Sequence, residues 1–502
     1  MDRIDHWIVV MFENRSFDNL LGYLPHLPPS EGIKDQHIKL PYPDGSVTVG
    51  PTTDFRAPIP DPGEAFGSIN VQVYGRYDPP SNVDRQPYSQ MPDYFEAPFN
   101  GPKPGQEPTM DGAALDFYNV SRWEKERVPT HEEMQSIGGV FTPETAPVIN
   151  TLAQEYAVFT RWFCEAPTCT TPNRNFFFCG TNAGRLDNQF IVNYGWDFEL
   201  PSIFTLFEDN GMPWAAYIDP SQKISMSALS LGGFKHRKLW KEHTRTKAQF
   251  FEDCASGDLP AFSWVEPCML FGELEDYHPP TDIRTGEAFL ADVYNAVRSS
   301  PAWETTALLV LFDEGGGCYD HVAPPPAAPD GYTSREGFTF DRFGIRVPSI
   351  MISPYTERET VITDVFHHTS FLRSMRDRFG LGNALTPRDA SAPLLTPAFN
   401  RTEPRADALA RIEPPSLDGV DKTRGVALGD NPDLTLLKAK GRELVTDKVS
   451  HLGAVVLDNL ARLTGHAKEE IPREHAAMTS WVADRTEDLH EGGPTQNGAK
   501  AP

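Results

Sequence analysis

The chain has 502 residues, 39% hydrophobic and 11% aromatic, enough for one large core with an appendage or for two domains. Its 45 Lys and Arg face 70 Asp and Glu, a net charge of −25. That balance excludes the basic stripe a nucleic-acid partner requires, and it repels a phosphate substrate unless a metal or an arginine offsets it locally.

The first residues run straight into the apolar segment His6–Phe12. They lack the basic region, apolar core and small-residue cleavage site of a secretory signal. No apolar run reaches the ~18 residues of a membrane helix. A cytoplasmic protein is therefore expected, and a mature secreted form would read alike. Prolines crowd the stretch from 25 to 110, with Pro28-Pro29, Pro60, Pro62, Pro79-Pro80, Pro102 and Pro104. Residues 25–135 read as a loop-rich insertion near a site, since ordered loops on a rigid scaffold often carry binding residues. Its aromatics, Phe66, Tyr74, Tyr77, Tyr88, Tyr94 and Phe95, suit either packing or contact with lipid.

Thr142-Pro143-Glu144 has the form of a helix start, with an N-cap, a proline in the first turn and an acid behind it. That helix would run through Val148, Leu152 and Tyr156. Further helices are expected over Pro201–Phe207, Arg284–Val297 and Val365–Phe379. Apolar runs without alternation, 214–218, 261–265, 307–312 and 347–352, read with His6–Phe12 as strands buried on both faces. Strands alternating with helices predict a three-layer α/β sandwich with a mostly parallel central sheet over residues 1–400. Ligands in such sheets gather at the carboxyl ends of strands. Residues 401–485 read as a C-terminal helical extension, with helices over Leu434–Val445 and His451–Leu463, and 486–502 as a disordered polar tail. The six cysteines contain no CxxC pair and read as reduced, mostly buried thiols.

Three segments carry chemistry. Thr170-Thr171-Pro172-Asn173-Arg174 sets a hydroxyl beside a guanidinium, with Pro172 suited to a first helical turn. A helix start there would turn free N–H groups and a positive dipole end toward a phosphate. Glu13 and Asn14 directly follow the first strand. They offer hard oxygen ligands to a divalent cation, or Asn14 or Ser16 caps a short helix. Asp313 and Glu314 end another buried strand and enter Gly315-Gly316-Gly317. Two buried carboxylates need a partner, and a cation shared with Glu13 would supply it; a solvated turn is the plainer alternative. Asp320-His321 would support that loop from behind. His278, in a Pro-rigidified turn, could ligate a metal or protonate a leaving oxygen. His367-His368 falls on the expected fourth helix and reads as packing and surface.

ENRSFDNLLG at Glu13–Gly22, TTPNR at Thr170–Arg174 and DEGGGCYDHVAPP at Asp313–Pro325 together resemble the bacterial phospholipase C and acid phosphatase family, shared with plant non-specific phospholipases C. EDYHPP at Glu275–Pro280 and FGIRVPSIMISPY at Phe343–Tyr355 match more weakly. The resemblance implies an alkaline-phosphatase-like α/β fold and a metal-dependent phosphoester hydrolase. Its substrate would be a phosphoester, a phospholipid at a membrane surface or a phosphomonoester; a non-catalytic anion-binding member is the third possibility. It implies Thr170 as nucleophile, with a phosphothreonine intermediate, and Arg174 as the arginine closing the nucleophile motif. Glu13, Asn14, Asp313 and Glu314 would be metal ligands and His278 an active-site histidine. Asn173, Asp320 and His321 would stand behind them. The cation would be Ca²⁺, Mg²⁺, Mn²⁺ or Zn²⁺. The sequence departs from the family once: a further histidine is usual upstream of a Met-Asp-Gly motif, yet none lies between His37 and His131, although Met110-Asp111-Gly112 is present.

Overall fold

The computed structural model describes residues 1–75, 106–125, 128–188, 200–222, 225–231, 237–269, 273–334 and 337–420. Its central sheet has eight strands: β1 (His6–Phe12), β2 (Ala157–Phe159), β3 (Trp214–Ile218), β4 (Thr244–Thr246), β5 (Phe262–Val265), β6 (Thr306–Phe312), β7 (Ser349–Ile352) and β8 (Thr360–Ile362). They lie in the order β8-β2-β7-β6-β1-β5-β3-β4. Only β7 runs against its neighbours, β6 and β2; the other pairs are parallel. The helices that matter for the site are α1 (Phe17–Leu21), α2 (Phe66–Tyr74), α3 (Ala113–Lys125), α4 (Pro147–Glu155), α5 (Thr170–Cys179), α6 (Ile203–Asp209), α7 (Ile283–Ser299) and α8 (Thr369–Phe379).

β1 and β6 are apolar along their whole inner length because both sheet faces are covered. Trp7 and Phe12 stand an odd number of residues apart and so point to opposite faces. Trp7 packs edge-on against Phe371 of α8, at 6.1 Å between ring centres. Phe12 packs against Phe289 of α7, also at 6.1 Å. On the Trp7 side, Phe177 of α5 stacks on Phe371 at 4.9 Å, and Phe178 meets Trp264 and Phe204. Helix, sheet and helix thus form three layers, an α/β sandwich as the alternation predicts.

Several boundaries differ from expectation. The helix expected to open at Thr142 begins at Pro147, because residues 142–146 fold into a turn closed by Ala146 N–H to Thr142 O, 2.8 Å. Its first N–H groups are satisfied from far away: Glu287 of α7 accepts from Val148 and Ile149 at 2.5 and 3.1 Å. The fourth expected helix begins at Thr369, not Val365, since Phe366–His367 instead pairs as a short strand with Trp162–Phe163.

The segment from 25 to 135 holds more order than its prolines suggest. A hairpin of Lys39–Tyr42 with Gly45–Thr48, α3 and a helix at His131–Ser136 share a small core around Leu40, Val47, Phe117 and Met134. Phe66 and Tyr74 are buried under Arg342 in packing roles, while Tyr77, Tyr88, Tyr94 and Phe95 lie outside the described residues. Residues 401–420 run without regular structure, and the extension and tail beyond them lie outside the described residues. All six cysteines are free and buried. No described helix is long and apolar enough to cross a membrane.

Candidate active site

The register of the two central strands builds the site. Phe12 of β1 stands opposite Phe312 of β6, so Glu13 and Asp313 leave the sheet side by side. The Asp313 N–H donates to Phe12 O at 3.1 Å, continuing the ladder one step. Asn14 then turns at φ 60°, a conformation asparagine tolerates better than most side chains. Its N–H donates to Asp313 Oδ1 at 3.1 Å. Gly316, at φ 57°, passes so close that a Cβ there would lie 2.4 Å from Asn14 O. Gly316 is therefore required by the close approach of the two acidic turns, whereas a Cβ at Gly315 would meet Ile345 and one at Gly317 would meet Pro62 and Gly63.

α5 enters this cluster at its N-terminus. Arg174 Nε donates to Asp313 Oδ2 at 2.9 Å, and its Nη2 lies 3.5 Å from Glu13 Oε1, all three side chains fully buried or nearly so. Thr170 lies four residues earlier, hence on the same helix face, one turn nearer the terminus. Asn173 braces the approach to Thr170: its Oδ1 accepts from Ala166 N–H at 3.0 Å, and its Nδ2 donates to Thr168 O and Cys169 O at 2.7 and 3.0 Å. Two of the first three backbone nitrogens of this helix offer no free N–H. Pro172 has none, and Thr171 N–H donates to Asn188 Oδ1 at 2.8 Å.

His278 lies on a loop that joins the end of β1, since Glu13 N–H donates to Asp276 O at 2.9 Å. Tyr277 takes φ 68°, an uncommon conformation for an aromatic residue, held by Arg15 Nε on its carbonyl at 2.7 Å. His278 Nε2 comes 3.0 Å from Asn14 Nδ2, and its Nδ1 lies 2.6 Å from Pro279 O. Glu64, delivered by the loop before α2, also reaches Asn14, accepting from Nδ2 at 2.5 Å.

Glu13, Glu64, Asp276, Asp313 and Glu314 are all buried. Burial pushes the carboxyl pKa of Glu13 well up, against the pull of Arg174, and does the same for Glu314, where Glu64 and Asp313 add repulsion. Asp313 is raised by burial despite Arg174, and burial takes Asp276 to about 8. Burial also opposes the Arg174 charge, but Asp313 and Glu13 outweigh it and its pKa rises. Among the described residues, Asn14 Oδ1, Asp276 Oδ2 and Glu314 Oε1 are buried oxygens without a hydrogen-bond donor. Hard oxygen atoms that are buried and lack donors suit a divalent cation. Glu13, Asn14, Asp313 and Glu314 are the residues that would hold it.

Asp320 and His321 are drawn into a separate ion-pair cluster. Arg346 is buried and donates to Asp320 Oδ1 and Asp18 Oδ1, each at 2.9 Å. His321 Nδ1 lies 2.6 Å from Asp18 Oδ2. Ligand atoms of Asp18, Asp320 and His321 fall within 4.8 Å of one another, as in a metal site, but the Arg346 guanidinium already supplies the cation there. The cluster ties the glycine loop to α1 and so holds the Asp313 turn against Asn14.

His367 and His368 pack inside the protein, so only the surface part of their expected role is corrected. His367 Nδ1 meets the buried Glu165 at 2.7 Å. His368 is fully buried beneath the site: Trp162 Nε1 donates to its Nδ1 at 3.0 Å, and its Nε2 lies 2.6 Å from Asp313 O. Burial lowers its pKa to about 4, so it supports the Asp313 backbone as a neutral ring. Glu64, Asn188, Asp276 and His368 are site residues that no local pattern marks. The signal that could have pointed to Glu64 is the gap left by the absent upstream histidine.

The Phosphoesterase family model matches residues 4–382. Non-specific phospholipase C3 of Arabidopsis thaliana is 30% identical, over 85% of this chain and 79% of that one. Non-specific phospholipase C1 of the same plant is 32% identical, over 81% and 73%. Phospholipase C B of Mycobacterium tuberculosis is 26% identical, over 84% and 82%. A solved structure from Vibrio parahaemolyticus, described as a protein in the alkaline phosphatase superfamily, aligns over 52% of this chain and 66% of its own. At 13% identity and a TM-score of 0.32, that likeness is too remote to bear on the site. A match across three quarters of the chain, and relatives aligned over most of their length, place it plainly: the chain belongs to the Phosphoesterase family.

Proposed function

We propose that this protein is a divalent-cation-dependent phosphoester hydrolase of the phospholipase C type, releasing a phosphorylated head group through a phosphothreonine intermediate on Thr170. The observation that carries the proposal is the contact of Arg174 with the acids that end β1 and β6, with Thr170 one helical turn nearer the start of α5 on the same face. The names of the plant and mycobacterial relatives support the phospholipid side of the reading.

The bound cation would supply positive charge to a phosphoryl oxygen and favour the ionised hydroxyl of Thr170. Thr170 Oγ1 forms a bond to phosphorus in line with the departing oxygen, whose bond to phosphorus breaks. Arg174, held rigid by Asp313, opposes the negative charge on the phosphoryl oxygens. His278, with Nδ1–H directed at Pro279 O, has a neutral Nε2 that faces Asn14 Nδ2 in the resting site; it would take the proton that leaves the Thr170 hydroxyl and give it to the departing alcohol. Water then attacks phosphorus, the bond to Thr170 Oγ1 breaks and the hydroxyl regains a proton. His278 thus acts in the first step, as a proton carrier.

The discriminating experiment compares phosphatidylcholine vesicles with p-nitrophenyl phosphate, before and after chelation and with each divalent cation restored. The expected result is loss of activity on chelation, recovery with one or more cations, and a higher kcat/KM on the phospholipid. A chelated enzyme that keeps its rate would remove the cation from the mechanism. A preference for the monoester would make the protein a phosphatase.

A further inference from the structure

Glu64 lies in the middle of a hydrogen-bond chain whose two ends cannot be turned around. At one end, the Thr171 N–H of α5 can only donate, so the Asn188 atom facing it at 2.8 Å is Oδ1. The other amide atom of Asn188, Nδ2, then donates to Glu64 Oε1 at 3.2 Å. At the far end, Pro279 O can only accept, so His278 Nδ1, at 2.6 Å, carries the hydrogen. In the neutral ring Nε2 is then an acceptor, and the Asn14 atom 3.0 Å away must be Nδ2. That same Nδ2 donates to Glu64 Oε2 at 2.5 Å. Glu64 therefore receives a donor on each oxygen, which a carboxylate can do and an amide cannot. With both Asn14 hydrogens committed, its Oδ1 is left as a buried oxygen without a donor among the described residues.

We infer that Glu64 is a positioning residue: it locks the Asn14 amide so that Oδ1, not Nδ2, is offered to the cation held with Asp313 and Glu314. The inference rests on the cation reading above. It also gives the loop before α2 a role in the interval where the upstream histidine is absent. Among the described residues of that interval, Asp61 and Glu64 lie next to His278, with Asp61 Oδ1 at 3.9 Å from Nδ1 and Glu64 Oε2 at 4.0 Å from Nε2.

The test is titration calorimetry of Mn²⁺ into the full-length protein, with melting temperature measured alongside. Glu64→Gln presents one acceptor to two donors, so Asn14 or Asn188 must rotate or lose its bond. The expected result is a folded variant that binds Mn²⁺ roughly 10- to 100-fold more weakly, the usual loss when a ligand's supporting partner is removed. In an Asn14→Ala background the same change should have no further effect on affinity. Should the glutamine variant fail to fold, Glu64→Ala is measured the same way with the same expectation. Wild-type affinity in either variant overturns the inference. So does an undiminished loss in the Asn14→Ala background, which would make Glu64 a ligand itself. A wild-type protein that binds no divalent cation overturns both this inference and the cation reading, whereas the other two outcomes leave the cation reading intact.

Discussion

Thr170→Ala is expected to lower phosphoesterase turnover by roughly 10³-fold or more, because the variant lacks the atom that would bond to phosphorus. The fold should not suffer. Thr170 is nearly buried, but α5 has no side-chain cap bond from Cys169, and Asn173 holds the preceding loop through its own amide. Steady-state rates and the melting temperature together check this, with rate lost and melting retained. Thr171→Ala provides the control. The Thr171 hydroxyl is buried without a partner among the described residues, while its N–H is already committed to Asn188. Its loss should leave turnover within a few-fold of wild type. An equal loss in both variants, or full activity in Thr170→Ala, would move the nucleophile elsewhere.

Arg174→Met is expected to be the more damaging change to the fold. It removes the guanidinium that contacts both Asp313 and Glu13, leaving two fully buried carboxyls without it. Breaking a buried ion pair from one side costs about 3–5 kcal/mol, because the remaining charge has neither solvent nor partner. The loss should be smaller when a divalent cation is present, since carboxyls freed of Arg174 would bind it more tightly than in wild type and tighter binding stabilises the folded state further. Denaturant unfolding with and without Mn²⁺ reads both effects. A variant as stable as wild type in the absence of cation would show that the carboxyls are neutral in the folded protein. Their raised pKa values make that the specific competing outcome.

The site was legible where the sequence fixes geometry locally. Apolar runs announced β1 and β6, and an acid directly after each run must emerge at the same sheet edge once the strands are parallel neighbours. Three glycines directly after Glu314 mark a loop short of space, and Gly316 passes against the Asn14 backbone. What stayed hidden depends on distant partners. β2, β4 and β8 have three residues each, too few to show a period, and exist because strands distant in sequence pair with them. α4 starts at Pro147 rather than near Thr142 because Glu287, far along the chain, caps it. His368 read as packing and surface because nothing nearby reveals that Asp313 O would lie over it. Glu64 arrives from a proline-rich loop with no periodicity of its own, yet it touches the same Asn14 amide as His278.

The stereochemical course at phosphorus tests the central claim most directly. A phosphorothioate diester of one configuration is hydrolysed in isotopically labelled water, and the configuration of the product thiophosphate is read. Attack by Thr170 followed by attack by water inverts phosphorus twice, so the account predicts retention. Inversion would mean that water attacks the substrate in a single step, and would contradict the covalent role of Thr170.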